Sequence, residues 1–373
     1  EVLIVDDVNE HQERWMKSNF ARMRRSEDQF HYEAVVVPSV QDALIAVLFN
    51  HNIQAIVVRP GLRMESKVDA AILNRYLNRA GGLEAMQNLD PGNYGPELCR
   101  MIARVRPELD AYLITDRSVE DIAGLDLGIC RRVFYNQEDF LELHLNILRG
   151  VQARYKTPFF TALVEYSKQP TGVFHAMPIS RGKSINRSHW IQDMGAFYGP
   201  NIFMAETSAT SGGLDSLLEP HGPIKEAQQL ASRAFGSKQT YFATNGTSTC
   251  NKIVVQALVK PGDIVLVDRD CHKSHHYGMV LAGAQVCYLD SYPLNEYSMY
   301  GAVPLREIKK QLLELKAAGK LDRVRMLLLT NCTFDGIVYN VERVMEECLA
   351  IKPDLIFLWD EAWFAFARFG PTY

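Results

Sequence analysis

Residues 239–276 read QTYFATNGTSTCNKIVVQALVKPGDIVLVDRDCHKSHH. The stretch predicts a strand at Gln239–Ala243, a polar turn at Asn245-Gly246-Thr247-Ser248-Thr249, a helix over Ser248–Val259 and a second strand at Ile264–Asp268. The pattern continues downstream. Helices are predicted at Ser274–Ala282, Pro304–Ala317 and Val341–Ile351, and strands at Val286–Leu289, Val324–Leu329 and Leu355–Trp359. Regular alternation of this kind predicts an open α/β sheet.

Open α/β sheets gather their ligands at strand ends, and three of these ends carry polar clusters. The first is Gly246 followed by Thr247, Ser248 and Thr249. A glycine and three hydroxyls opening a helix offer free N–H groups, which suits a phosphate, although the same residue types also serve as plain N-caps. The second is Asp270-Cys271-His272-Lys273-Ser274-His275-His276. No cysteine or carboxylate stands at a metal-ligand spacing, so no metal is expected. An imidazole here can stack on a flat ring or simply open the helix. The third is Trp359-Asp360-Glu361-Ala362-Trp363. A carboxylate ending a buried apolar strand needs a cationic or donor partner. A protonated ring nitrogen would serve, as would a structural ion pair, and Trp363 could equally be plain core.

Upstream, Pro158, Pro170 and Pro178 mark a change of texture near Thr157. The expected organisation is a domain over 1–156, a linker with the start of the next domain over 157–235, and the large domain over 236–373. The first domain alternates as well. Strands are predicted at Val2–Val5, Ala34–Val37, Ile53–Val58, Ala111–Thr115 and Arg131–Tyr135, with helices at Asn9–Arg24, Val40–Asn50 capped by Ser39, Pro96–Val105 and Glu138–Tyr155. Residues 61–93, with a helical pattern at Ala70–Arg79, are expected to form a surface insertion.

The whole chain has 373 residues, 40 basic and 44 acidic, for a net charge of −4. That balance gives no electrostatic footprint for nucleic acid, and no apolar run is long enough to span a membrane. Seven scattered cysteines without a Cys-x-x-Cys pair fit a reducing cytoplasm better than a disulfide framework. The chain begins at Glu1 and runs straight into a strand, which suggests a cut end.

Two resemblances follow from these residues. Asp6-Asp7 ending the first strand and Thr115 ending the fourth resemble a response-regulator receiver, a flavodoxin-like domain. The phospho-acceptor position after the third strand, however, holds Arg59, and Val133-Phe134-Tyr135-Asn136 stands where the receiver lysine belongs. The expectation is therefore a receiver-shaped structural or assembly domain. NGTSTCNKIV, DRDCHKSHH, TNCTFDGIVYN and DEAW, in that order and preceded by Leu214–Ser237, resemble the prokaryotic-type ornithine/lysine/arginine decarboxylases, which carry such a receiver-like wing domain.

That resemblance implies an aspartate aminotransferase-like (fold-type I) large domain, incomplete at its C-terminal end, with pyridoxal 5'-phosphate as cofactor. It implies Gly246, Thr247 and Ser248 at the cofactor phosphate and His272 stacked on the pyridine ring. Asp360 would pair with the ring nitrogen, Ala362 would pack on the other face and Trp363 would lie near the pocket. Thr333, Asp335 and His175 are expected around it. The reaction implied is decarboxylation of lysine, ornithine or arginine to its amine and CO₂ in a homodimer or larger homo-oligomer. Two alternatives are an aminotransferase or lyase of the same superfamily and an inactive regulator. Two departures stand out. The family's Schiff-base lysine, in a Ser-x-His-Lys segment, would lie beyond residue 373, so the chain is expected to be a piece of a longer protein and inactive as written. The segment His175-Ala176-Met177-Pro178-Ile179-Ser180 keeps only part of a His-Thr-Pro-Gly-His pattern, which bears on substrate choice.

Overall fold

The computed structural model describes the chain apart from residues 70, 82, 87, 123, 126, 136–138, 175, 178, 190–191, 208–212 and 371–373. It divides into two compact units, Glu1–Tyr241 and Phe242–Tyr373.

In the first unit the β-branched runs VLIV, AVVV and AIVV become strands because they fill a pleated, doubly covered surface. Val2–Val5 (β1), Ala34–Val37 (β2), Ala55–Val58 (β3), Asp110–Thr115 (β4) and Cys130–Tyr135 (β5) pair in parallel in the order β2-β1-β3-β4-β5. Four helices cover the sheet: Glu10–Met23 (α1), Val40–Phe49 (α2), Tyr94–Val105 (α3) and Phe140–Arg154 (α4). Their starts are legible. Asn9 and Gln12 form a reciprocal capping box on α1, Ser39 caps α2 and Asp139 caps α4. Alternate residues of a strand face opposite sides, so Leu3 and Val5 enter one apolar layer with Leu44 and Leu98, while Val2 and Ile4 enter the other with Phe20 and Ile147.

At the carboxyl edge of this sheet Asp6 is buried, and burial pushes its carboxyl up. The guanidinium Nε of Arg59 lies 3.5 Å from Asp6 Oδ2, and Arg63 and Lys67 lie 3.2 and 3.5 Å from Asp7. The receiver-like carboxylates are thus faced by cations of the chain itself. A Cβ added at Gly61 would stand 2.2 Å from Asp6 Oδ1, so any larger residue there would displace that carboxylate. The segment expected as a surface insertion holds a 3₁₀ turn at Ala71–Leu73 and a helix at Asn74–Ala80, where the sequence predicts one helix over Ala70–Arg79. It is not confined to the surface, since Leu77 and Met86 are buried in the core. Two longer helices, Pro158–Lys168 (α5) and Pro223–Phe235 (α6), follow in the same unit. Arg233 of α6 reaches Asp110 Oδ1 at 2.7 Å.

The second unit holds helix Thr247–Leu258 (α7), strand Ile264–Asp268 (β6), helix Lys273–Ala282 (α8), strand Gln285–Leu289 (β7), helix Leu305–Ala317 (α9), strand Val324–Thr330 (β8), helix Val341–Leu349 (α10) and strand Ile356–Asp360 (β9). The four strands are parallel in the order β9-β8-β6-β7. After β7 the chain crosses back to the other side of β6, which creates a switch point at the carboxyl ends of β6 and β8. One predicted element is absent. Gln239–Ala243 forms no strand, because no neighbouring strand pairs with it. A strand exists by its ladder and not by the propensity of its residues.

Candidate active site

The carboxyl ends of β6, β8 and β9 and the N-terminus of α7 enclose a cavity of about 340 Å³. Thr247, Ser248, Asn251, Asp270, His272, Thr330, Phe334, Asp360, Ala362 and Trp363 line it. Parallel register sets Thr330 beside Asp360 at the ends of β8 and β9.

Gly246 occupies the N-cap of α7 with φ 72° and ψ −179°, a conformation open essentially to glycine alone. No side chain caps this helix start, so its first N–H groups face the cavity mouth with Thr247 and Ser248. That is a cradle for an anion.

His272 is the N-cap of α8. Its Nδ1 accepts from the Ser274 N–H at 3.3 Å and lies 2.8 Å from Ser274 Oγ. The ring is therefore anchored through Nδ1 while it lines the cavity, so capping and pocket lining coexist in one residue.

Asp360 is buried, and its environment decides its charge. Burial pushes its carboxyl up. Hydrogen bonds from His275, the Ala362 N–H and Asn251 outweigh that and hold it below the ordinary carboxylate range. His275 Nε2 lies 2.8 Å and Asn251 Nδ2 3.1 Å from Oδ2, and the Ala362 N–H donates to Oδ1 at 3.2 Å. Asn251 also donates to Ser274 Oγ at 3.0 Å, tying α7 to α8.

Close by, burial and the neighbouring Asp268 and Asp335 raise the Asp270 carboxyl. Burial with Asp268 pushes the Cys271 thiol up to about 12, so it stays protonated at neutral pH. Phe334 and Trp363 are exposed aromatic rings in edge-to-face contact, centroids 6.0 Å apart.

Thr247, Ser248, His272, Asp360, Ala362 and Trp363 thus converge on one cavity, with Gly246 at its rim. Thr333 and Asp335 do not line it. Thr333 closes a tight turn by donating its N–H to the Ile337 carbonyl and accepting the Ile337 N–H on Oγ1, and Phe334, between Thr333 and Asp335, lines the cavity. His175 lies outside the described residues. Sequence reading left Asn251, Thr330, Phe334 and the role of His275 unassigned. Nothing in the order of residues singles out Asn251, which stands among the other polar residues of 247–252.

A phosphorylated, flat, cationic ring fits this donor set. The uncapped helix start suits its phosphate, the anchored imidazole its face, and the buried anion its protonated nitrogen. Among the described residues no group of three or more histidine, cysteine, aspartate or glutamate side chains is placed to hold a metal ion, and no helix is long and apolar enough to cross a membrane.

Comparison with known proteins gives the same direction. The Orn/Lys/Arg decarboxylase major domain matches residues 157–373, starting where the sequence texture changes. The chain is 35% identical over 292 residues to lysine decarboxylase LdcA of Pseudomonas aeruginosa, covering 74% of this chain and 38% of that protein. It is 32% identical over 252 residues to the inducible ornithine decarboxylase of Escherichia coli, covering 64% and 34%. Among solved structures, lysine decarboxylase A from Pseudomonas aeruginosa superposes with a TM-score of 0.52 at 29% identity, over 98% of this chain and 47% of that one. The chain therefore spans less than half the length of these proteins. It shares their α/β fold, and it belongs to the Orn/Lys/Arg decarboxylase family.

Proposed function

We propose that the protein carries out pyridoxal-phosphate-dependent decarboxylation of a basic amino acid, lysine, ornithine or arginine, releasing CO₂ and the corresponding amine. The observation that carries this reading is the convergence of Thr247, Ser248, His272 and Asp360 on one cavity. The Gly246-Thr247-Ser248 turn and the first N–H groups of α7 would hold the phosphate. His272 and Ala362 would hold the ring, with Trp363 near it. Asp360, kept anionic by its three donors, would hold the ring nitrogen protonated. When bound, pyridoxal phosphate supplies the electron sink for the pair left at Cα as CO₂ departs. The chain's residues set the orientation of that sink and keep its nitrogen charged. A proton is consumed in forming the amine.

A homodimer or larger homo-oligomer belongs to the same reading. It is supported by the exposed apolar side chains Ile253 on α7 and Tyr277, Val280 and Leu281 on α8. The test is to express the source gene over its whole reading frame and to incubate the protein with pyridoxal phosphate and each of the three amino acids. CO₂ and an amine are expected. An oxo acid, or no turnover on any of them, refutes the assignment.

A further inference from the structure

The mechanism above leaves the buried titratable group beside Asp360 without a role. His275, on the first turn of α8, has no exposed surface, and its Nε2 lies 2.8 Å from Asp360 Oδ2. Its Nδ1 is buried and has no hydrogen-bond partner among the described residues. We propose that His275 is a positioning residue that, as a neutral imidazole with its proton on Nε2, orients Asp360 toward the cavity without cancelling its charge.

The argument starts from the two nitrogens. An imidazolium would carry a proton on both, leaving an Nδ1–H donor buried with nothing to accept it. Such an orphan is costly in a neutral group and more so in a charged one. With the proton on Nε2 alone, Nδ1 is a bare acceptor, and the only N–H of the ring is spent on Asp360. The charge consequence is direct. An imidazolium would pair with Asp360 as a closed ion pair and compete with any cationic ligand. The neutral ring leaves the full negative charge available.

Orientation follows from the surrounding donors. Oδ2 receives His275 from α8 and Asn251 from α7, so both of its acceptor directions are taken. Oδ1 receives only the Ala362 N–H, at 3.2 Å, and keeps a lone pair for the cavity that Asp360 lines. Asn251 braces the arrangement by bonding Ser274 as well. Two helices thus clamp one oxygen and leave the other to the ligand.

This inference rests on the cofactor reading, and its test separates the two. Histidine-selective nitrogen-15 labelling resolves the 10 histidines of the chain, and the His275 signals are those lost in His275→Gln. At pH 7 the wild-type chain is expected to show one protonated and one bare nitrogen at His275. Two protonated nitrogens overturn the proposal. The second arm measures binding of pyridoxamine 5'-phosphate, which needs no covalent link to the protein. His275→Leu, which has no donor, is expected to weaken binding about tenfold, as loss of one hydrogen bond to a charged group predicts. His275→Gln, which keeps an N–H, should recover to within about threefold of wild type. Circular dichroism confirms folding of each variant. Unchanged affinity in folded His275→Leu overturns the positioning role. If wild type itself does not bind the probe, the cofactor reading fails and takes this role with it, whereas the nitrogen-15 pattern still reports which protons the buried pair carries.

Discussion

Replacing Asp360 with asparagine keeps the shape of the side chain and removes its charge, so it measures what the three donors contribute. The carboxylate accepts from His275, Asn251 and the Ala362 N–H. An asparagine amide has one acceptor oxygen. With that oxygen at the Oδ2 position it keeps His275 and Asn251 but points its NH₂ at the Ala362 N–H. In the flipped orientation it keeps Ala362 alone. The better choice loses one bond, sets two donors against each other and turns two charge-assisted bonds into neutral ones. A bond to a charged group contributes about 1.5–3 kcal/mol and a neutral one about 1 kcal/mol. Removing a buried charge relieves some desolvation, but the hydrogen bonds already outweigh burial at this site, since the carboxyl titrates below its usual value. The expected net loss is about 2 kcal/mol, roughly 5–8 °C in melting temperature for a unit of this size. The pH dependence carries the sign. A depressed folded pKa gives stability that is present above the unfolded value and is lost as pH falls through the folded one. The gap between wild type and Asp360→Asn should therefore be full at pH 7 and shrink on acidification below about pH 4. Scanning calorimetry at pH 7, 5 and 3.5 checks both points. An Asp360→Asn protein that melts with wild type at pH 7, or a gap that does not narrow between pH 5 and 3.5, refutes the reasoning.

Gly246→Ala meets no side chain, so its cost is the backbone conformation, about 1–3 kcal/mol. Calorimetry should show a lower melting point, and equilibrium dialysis with pyridoxamine phosphate at least about fivefold weaker binding; unchanged binding removes the turn from the anion site. In the first unit, His144 is buried with Nδ1 2.9 Å from the Tyr32 hydroxyl. Burial holds its imidazole below the usual value despite Asp28. Protonation then favours the unfolded chain, so stability present above about pH 6.5 is lost as pH falls. Melting between pH 7.5 and 5.5 should show that loss in wild type and less of it in His144→Gln, and a flat wild-type profile contradicts it. Melting of the first unit should be the same in EDTA and in millimolar magnesium, because Arg59, Arg63 and Lys67 already face Asp6 and Asp7. A rise with magnesium contradicts that account.

The sheets were legible because their strands are short apolar runs bounded by turn residues, and the helix starts because Ser39, Asn9 and His272 cap them. The prediction at Gln239–Ala243 failed where pairing mattered: Tyr241 and Phe242 look like strand residues, yet both are exposed and unpaired in a ladder. The site was legible at Thr247, Ser248, His272 and Asp360, since unusual polar residues at strand ends announce themselves. Asn251 and His275 were not, because their meaning depends on which helix face packs over β9. Of the three neighbouring histidines, nothing in the order of residues says that the middle one, His275, is buried against Asp360. Phe334 was hidden by its neighbours. Thr333 and Asp335 carry the polar chemistry that draws the eye, but the turn at Thr333 gives the cavity to the ring between them.

The cations facing Asp6 and Asp7 have one more consequence. A counter-ion taken from solution occupies its place only in proportion to its concentration, and stability then rises and falls with that supply. A guanidinium carried on β3's own exit turn, 3.5 Å from the carboxylate, has no such dependence: it cannot be diluted away, chelated or outcompeted at ordinary strengths. The neutralisation is written into the covalent chain, so the sheet edge keeps one state whatever the ionic supply.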